Sequence, residues 1–259
     1  MRRIGLHGIE QFLDALSFLT RLCAARELKN GLAACLPWFA PVGLLLGAVC
    51  TLPAWLLWQI ASHTHDVEQL GALLTAWLWL CLSLWLTRAL HWDGLADLAD
   101  ACGSGAQGQR FWEILRDSRL GTFGALALLG VFMGQWLCLS WHIQHGHWII
   151  LLLVPAWGRA CAVWLAAAVP ACDPGSLGGM AAQGAEHVAR KYLPAALLTL
   201  LALALSGNPW WQLLLLPGGQ YWLIRRLART GSAQGGISGD FLGASVELGQ
   251  LWFLLILLY

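Results

Sequence analysis

Five of the fourteen acidic residues in this chain lie between His91 and Gly124, at a spacing that could gather a divalent cation. Asp93, Asp97 and Asp100 are four and three residues apart, so in a helix they would share one face. Carboxylates this close repel one another and lose hydration, in a chain that is 58% hydrophobic and only 11% charged. A bound cation is the simplest compensation, and hard oxygen ligands favour Mg²⁺, with Mn²⁺ as the other candidate.

A second acidic pair follows a glycine-rich break. The run from Gly103 to Gly108 should end the first helix and let the next segment fold back on it. Glu113 and Asp117 are again four residues apart, and we expect the two acidic faces to converge on the metal. Arg116 and Arg119 lie beside these acids and could bind the phosphate oxygens that the metal leaves free. An ordinary solvated helix surface is the alternative for acids at this spacing.

The rest of the sequence predicts a membrane-embedded framework for this stretch. The chain has 259 residues and 17 tryptophans, and several apolar runs approach the roughly 20 residues needed to cross a bilayer. We predict an all-α fold, a polytopic transmembrane helical bundle that forms a single integral-membrane catalytic domain over residues 1–259. About seven spans are expected, at residues 36–60, 70–90, 121–142, 148–170, 192–206, 209–223 and 241–259. Residues 9–22 are expected to form an N-terminal amphipathic segment at the membrane surface.

The basic residues predict which side of the membrane the acidic stretch faces. Five Lys or Arg residues precede the first span, four lie in 88–119, two in 171–191 and three in 224–240, with none in the intervening loops. By the positive-inside rule, the basic loops are cytoplasmic, and so is the acidic stretch. A net charge of +1 gives no reason to expect a nucleic-acid partner.

Four ionisable residues lie inside or at the ends of apolar runs. Arg159 is midway along the fourth span, and Glu247 lies two turns beyond Asp240 in the last one. Such residues usually face a polar cavity or a partner, so Arg159 could pair with Glu247 or bind a substrate phosphate. A buried ion pair that only fixes helix packing is the alternative. His91 could serve as a base or support a metal ligand, although a helix-end histidine bound to a backbone carbonyl is equally compatible.

Three separate motifs resemble the cobalamin synthase family, also called adenosylcobinamide-GDP ribazoletransferases. They are His91-Trp92-Asp93-Gly94-Leu95-Ala96-Asp97, Arg116-Asp117-Ser118-Arg119-Leu120-Gly121-Thr122, and Gly239-Asp240-Phe241-Leu242-Gly243-Ala244 with Glu247-Leu248-Gly249. Phe18 to Leu22 and Pro41 to Gly47 look like the same family, so the resemblance covers nearly the whole chain.

The resemblance implies a Mg²⁺-dependent, multi-pass enzyme of the bacterial cell inner membrane, with its active site facing the cytoplasm. Its substrates would be adenosylcobinamide-GDP and α-ribazole or α-ribazole 5′-phosphate. Its products would be adenosylcobalamin or its 5′-phosphate, and GMP. Such an enzyme contacts the lipid bilayer, and homo-oligomers or association with other corrinoid-pathway enzymes are compatible with it.

The candidate residues fall into three groups. The predicted catalytic residues are Asp93, Asp97, His91 and Asp117. The predicted substrate-binding residues are Arg116, Arg119, Arg159, Asp240 and Glu247. The predicted metal ligands are Asp93, Asp97, Asp100, Glu113 and Asp117.

An ion- or proton-coupled membrane transporter is the alternative function. Intramembrane Glu247 and Arg159 and the many glycines are compatible with transport. A transporter should instead place its acids near the bilayer midplane and show an internal repeat, whereas five acids lie at one face here. The acidic cluster therefore favours the phosphotransferase.

Overall fold

A computed structural model describes residues 2–28, 31–61, 68–170, 173, 175 and 177–258. Every secondary-structure element in these residues is a helix, which confirms the all-α prediction. The α-helices in chain order are α1 (Arg2–Leu19), α2 (Gly31–Cys35), α3 (Phe39–Ala61), α4 (Glu68–Thr87), α5 (Leu90–Gly103), α6 (Gln109–Leu115), α7 (Thr122–Gln144), α8 (Trp148–Ala168), α9 (Leu177–Ala182), α10 (Ala185–Leu205), α11 (Trp210–Ala233) and α12 (Gly239–Ile256). A short 3₁₀ turn, Leu36–Trp38, joins α2 to α3.

Six helical segments of the described chain are long and apolar enough to cross a membrane: Gly31–Ile60, Gln69–Thr87, Thr122–Gln144, Trp148–Ala168, Ala185–Leu205 and Gly239–Ile256. The predicted span at 209–223 lies in the longer helix α11, whose last turns carry Arg225, Arg226 and Arg229. Helix α10 begins at Ala185, seven residues before the span expected at 192–206. A turn after Leu205 separates α10 from α11.

The N-terminal amphipathic segment is a helix that packs on the bundle. Ala15, Leu16 and Leu19 are buried on one face of α1, whereas Ile9 is 57% exposed. The buried face contacts α2 and the start of α3. The carboxylate of Asp14, on this face, pairs with the Arg26 side chain at 3.0 Å. Helix α1 is therefore attached to the protein as well as amphipathic.

Small residues let the central helix α8 approach its neighbours closely. A Cβ atom on Gly43 or Gly47 of α3 would collide with the backbone of α8. A Cβ atom on Gly158 of α8 would lie 2.8 Å from the carbonyl oxygen of Val246 on α12. In membrane proteins, such glycines allow backbone-to-backbone packing that larger side chains would prevent. Helix α8 is consequently the best buried of the six candidate spans.

A sharp corner between α4 and α5 sets the direction of the acidic helix. Arg88 and Ala89 have φ angles of 56° and 53°, in the left-handed region that non-glycine residues rarely adopt. The Arg88 guanidinium donates hydrogen bonds to the carbonyl oxygens of Ser17 (3.2 Å), Phe18 (2.6 Å) and Thr20 (3.4 Å) at the end of α1. The corner and the end of α1 thus hold each other in place.

Hydrogen bonds bring the acidic stretch and the turn before α12 to one end of the bundle. The Gln234 side chain accepts a bond from the Gly108 amide (2.8 Å), and the Gln234 carbonyl accepts one from the Trp112 indole (3.0 Å). His142 contacts the Leu254 carbonyl at 3.0 Å, near the other ends of α7 and α12. The acids therefore lie at the end where the predicted basic loops meet.

Candidate active site

Helices α5 and α12 cross at two glycines. A Cβ atom on Gly94 would lie 2.8 Å from the Asp240 Cα atom and 2.9 Å from its carbonyl oxygen. A Cβ atom on Gly243 would lie 3.1 Å from the His91 carbonyl oxygen. The two backbones are therefore almost in contact, which brings the first turn of α12 beside the acidic face of α5.

This crossing produces a group of three carboxylates, from Asp93, Asp97 and Asp240. Partial burial, together with the negative charges of Asp93, Asp240 and Asp100, raises the pKa of Asp97 to about 6. The Ser238 hydroxyl donates a hydrogen bond to Asp240 at 2.9 Å. Within the described residues, the carboxylates of Asp93 and Asp97 have no hydrogen-bonding or ion-pairing partner. No side chain in the described ranges therefore forms a direct contact that offsets the repulsion between these two carboxylates.

Asp100, a predicted metal ligand, is occupied elsewhere. Its two carboxylate oxygens accept hydrogen bonds from the backbone amides of Gly121 (2.7 Å) and Gly124 (2.8 Å). These amides lie at the start of α7, where a helix has N–H groups without partners and favours negative charge. Asp100 thus joins α5 to α7, and its charge also acts on Asp97.

The second acidic pair does not form the helical face that its spacing predicted, because α6 ends at Leu115, before Asp117. Glu113 accepts hydrogen bonds from Arg110 (2.9 Å) and Gln109 (3.2 Å). Hydrogen bonds from Arg119 hold the pKa of Asp117 down at about 2. Among the described residues, the charges that act on Asp97 come from Asp93, Asp240 and Asp100 and not from this pair.

Two arginines follow α6 on the exposed side of the site. Arg119 forms a close pair with Asp117, with a shortest contact of 2.6 Å, and its side chain is 87% exposed. Arg116 is exposed and interacts electrostatically with Asp240. Of these two arginines, Arg116 is thus the one that the structure connects to the three carboxylates.

Arg159, Glu247 and His91 form a buried group below these carboxylates, with exposures of 1%, 3% and 5%. Glu247 accepts hydrogen bonds from the amides of Gln135 (3.0 Å) and Gln250 (2.8 Å), and its other oxygen lies 3.8 Å from His91 Nδ1. Arg159 acts on Glu247 electrostatically and donates to the Pro155 carbonyl at 2.9 Å. Burial, together with Arg159, holds the pKa of His91 well below its ordinary value, so the imidazole stays neutral.

Two cavities meet at Asp93. One is an open cleft of about 500 Å³ that also includes Arg88, Asp97 and Ser118. The other, of about 260 Å³, has mainly apolar walls from α1, α2, α3, α8 and α12, and its polar groups are His91, Asp93, Arg159 and Asp240. A charged cleft and an apolar pocket with one shared carboxylate can hold two different molecules next to each other.

The carboxylate oxygens of this site are ligands of the type that Mg²⁺ prefers. Among the described residues, no group of three or more His, Cys, Asp or Glu side chains is arranged to hold a metal ion. Mg²⁺ usually takes one or two carboxylates and completes its octahedron with water and substrate phosphate. Asp93, Asp97 and Asp240 offer hard oxygen ligands, and a divalent cation would relieve the repulsion that Asp93 and Asp240 exert on Asp97.

Comparison with known proteins identifies the family. The family model for cobalamin-5-phosphate synthase matches residues 11–258. The chain belongs to the cobalamin-5-phosphate synthase family. This confirms the resemblance seen in its three motifs. No solved structure matches the chain.

Curated relatives of this cobalamin-5-phosphate synthase family member carry the name adenosylcobinamide-GDP ribazoletransferase. The relative from Nitratidesulfovibrio vulgaris strain Miyazaki F is 41% identical over 241 residues, which cover 92% of this chain and 90% of the relative. The relative from Vibrio cholerae serotype O1 is 34% identical over 279 aligned residues, which cover all of this chain and 97% of the relative. The similarity therefore extends over whole proteins.

Sequence reasoning overlooked three residues that shape the site in this family member. Gly94 and Gly243 set the distance between α5 and α12, and Arg88 fixes the corner before α5. Gly94 and Gly243 lie inside the motifs that carry the family resemblance, directly beside or near an aspartate. A glycine within a helix that also carries functional acids was the available signal for a close backbone approach.

Replacing Asp97 with Asn should stabilise the metal-free protein near pH 7.5. The folded protein disfavours the ionised carboxylate, because its pKa is raised from 3.8 to about 6. The wild type therefore loses stability as pH rises through this interval, by about 1 kcal/mol once solvent screening of a partly exposed group is allowed for. Thermal unfolding with EDTA should show a higher midpoint for Asp97→Asn near pH 7.5 and no difference below the ordinary pKa. An equal difference at both pH values would contradict the predicted repulsion.

Proposed function

We propose that this protein joins adenosylcobinamide-GDP to α-ribazole or α-ribazole 5′-phosphate, releasing GMP, in the assembly of the cobalamin nucleotide loop. The observation that carries this proposal is the meeting of an open cleft and an apolar pocket at Asp93, beside Asp97 and Asp240. The names of the relatives supply the substrates, and the family match covers almost the whole chain.

The reaction has a defined balance of bonds. A ribose hydroxyl of the acceptor attacks the cobinamide-side phosphorus of the diphosphate and forms a new P–O bond. The bond from this phosphorus to the oxygen of the GMP leaving group breaks. The hydroxyl proton passes to a carboxylate, and Asp93 is the one placed for this because it lines both cavities. Neutral His91, whose pKa is held down, is a poor base by comparison.

The remaining residues position the donor. Arg116, exposed next to Asp240, would contact the phosphate oxygens on which negative charge develops. Asp93, Asp97 and Asp240 are the residues that would hold Mg²⁺, and the bound ion would supply positive charge to the diphosphate. Asp100 would keep α5 in register with α7 through its two backbone hydrogen bonds. Glu113, Asp117 and Arg119 are not in the lining of the cleft and are bound by local partners, so the proposal gives them no direct role.

We further propose a location in the bacterial inner membrane with the site open to the cytoplasm. The basic loops supporting this orientation lie at the same end of the bundle as the acids. The transporter hypothesis has less support, because Asp93, Asp97 and Asp240 lie together at one end of α5 and α12. The carboxylate deeper in the bundle, Glu247, is bound by two glutamine side chains.

The direct test uses purified protein in lipid nanodiscs with adenosylcobinamide-GDP and α-ribazole. GMP should appear together with the joined corrinoid when Mg²⁺ is present, and EDTA should stop its release until Mg²⁺ is restored. GMP release that requires both substrates supports the transferase. If no GMP appears with either α-ribazole or its 5′-phosphate, the proposed activity is wrong. If release persists in EDTA, the Mg²⁺ requirement is wrong.

A further inference from the structure

We propose that the 260 Å³ pocket beside Asp93 binds the flat, uncharged aromatic base of the nucleoside acceptor, and that its walls set which bases are accepted. This inference rests on the proposed function and specifies where one of the two substrates binds. The pocket lies between α5, α8 and α12 and is covered by α1 and the start of α3. The donor would then occupy the open cleft on the other side of Asp93.

Size excludes the donor from this pocket. A cavity of 260 Å³ is smaller than the roughly 300–1,000 Å³ typical of sites for drug-sized ligands, so it can admit a bicyclic base but not a corrin ring carrying a nucleotide. Its lining extends along α12 from Gly239 to Val246, which spans about 10 Å at the rise of an α-helix. That depth suits a base inserted lengthwise with its sugar at the mouth, where Asp93 and Asp240 lie.

The walls suit an aromatic ring. Phe18 and Phe39 line the pocket, with ring planes inclined by only 21° and centroids 6.4 Å apart. Aliphatic side chains of Leu32 and Val246 complete the lining. Such walls favour stacking and burial of a flat apolar ring.

Two buried polar atoms of pocket-lining residues lack a hydrogen-bond partner in the described part of the chain, His91 Nδ1 and Arg159 Nε. Arg159 is 1% exposed. A buried donor without a partner is rare in folded proteins. The base of a ribazole has one unsubstituted ring nitrogen, which accepts a hydrogen bond and donates none. Of the two atoms, the Arg159 Nε–H can only donate, so it is the one whose chemistry suits this nitrogen.

The first test makes the pocket smaller by enlarging one side chain in its wall. Ala162 lines the pocket on α8, whereas Ala160, two residues away, lines a separate groove between α3, α8 and α10. Ala162→Leu should raise the KM for α-ribazole at least tenfold and leave the KM for adenosylcobinamide-GDP within twofold. Ala160→Leu should change neither constant by more than twofold. Calorimetric titration of the protein with α-ribazole in EDTA should show the same loss of affinity in Ala162→Leu, independently of turnover.

A second variant enlarges the pocket and covers the case in which Ala162→Leu does not fold. Leu32→Ala should shift the preference toward acceptors with a larger base, measured as the ratio of kcat/KM for a naphthimidazole nucleoside to that for α-ribazole. Unchanged α-ribazole affinity and an unchanged preference in the folded variants would overturn the pocket assignment, and so would equal effects on both substrates. GMP release by the wild type tests the transferase activity, whereas the variants test the assignment of the pocket. A failure of one proposal can therefore be told from a failure of the other.

Discussion

Asp93→Asn should lower GMP release by about 10³-fold or more while the protein remains folded, which is the scale of losing one charged group at a reacting centre. Asp93 is exposed on α5 and lines both cavities, so its carboxylate is next to whatever molecules occupy them. Asn keeps the size of the side chain and removes its charge. The measurement is the single-turnover rate with saturating substrates, combined with size-exclusion chromatography to confirm the folded state.

The control for Asp93→Asn removes one negative charge from an exposed helix outside the site. Glu186 lies in the first turn of α10, pairs with Arg190 at 2.5 Å, and is 73% exposed. Glu186→Gln should retain the wild-type rate, because a surface pair of this kind contributes little to stability. Undiminished GMP release by folded Asp93→Asn protein would show that the reacting atoms are not at this carboxylate.

Gly94→Ala should also lower activity, by about 100-fold, although it leaves every charged group in place. The added methyl group would lie 2.8 Å and 2.9 Å from backbone atoms of Asp240, which cannot rotate away. Helices α5 and α12 must therefore separate, and a displacement near 1 Å at a reaction site can cost about that factor. Overpacking of this kind also costs about 1–3 kcal/mol of stability, so the midpoint of thermal unfolding should fall.

Gly130→Ala is the control for Gly94→Ala. Gly130 lies within α7, and a Cβ atom there would have no neighbour within 4 Å. Its activity should equal that of the wild type, and its stability should be the same or slightly higher, because alanine favours the helix. If Gly94→Ala matched the wild type in kcat and stability, the close crossing of the two helices would not be what positions the acids.

Hydropathy was sufficient to find the long helices. The predicted helix ends were wrong where charged residues lie in the first or last turns. The start of α10 at Ala185 was missed because Glu186, Arg190 and Lys191 interrupt the apolar pattern. The end of α11 was missed for the same reason, since the helix continues past Arg225 to Ala233. Long basic side chains can extend from a membrane helix toward water, so a charge need not end the helix.

The acidic face of α5 was predictable, and its partners were not. Helical periodicity places Asp93 and Asp97 together, but it cannot show that the Asp100 carboxylate binds the start of α7. It equally cannot show that Asp240, far away in sequence, completes the group, because that depends on the crossing at Gly94. Asp117 was misplaced because α6 ends early and Arg119, two residues on, provides a local partner.

The left-handed corner at Arg88 and Ala89 makes the position of α5 depend on α1. Two successive non-glycine residues in this conformation cost on the order of 1–2 kcal/mol each, and the bonds from Arg88 to the end of α1 help to offset that cost. Without α1, the corner could relax and α5 could swing away from α12. Deleting α1, which contributes no acid to the three-carboxylate group, would then abolish activity because those carboxylates would move apart.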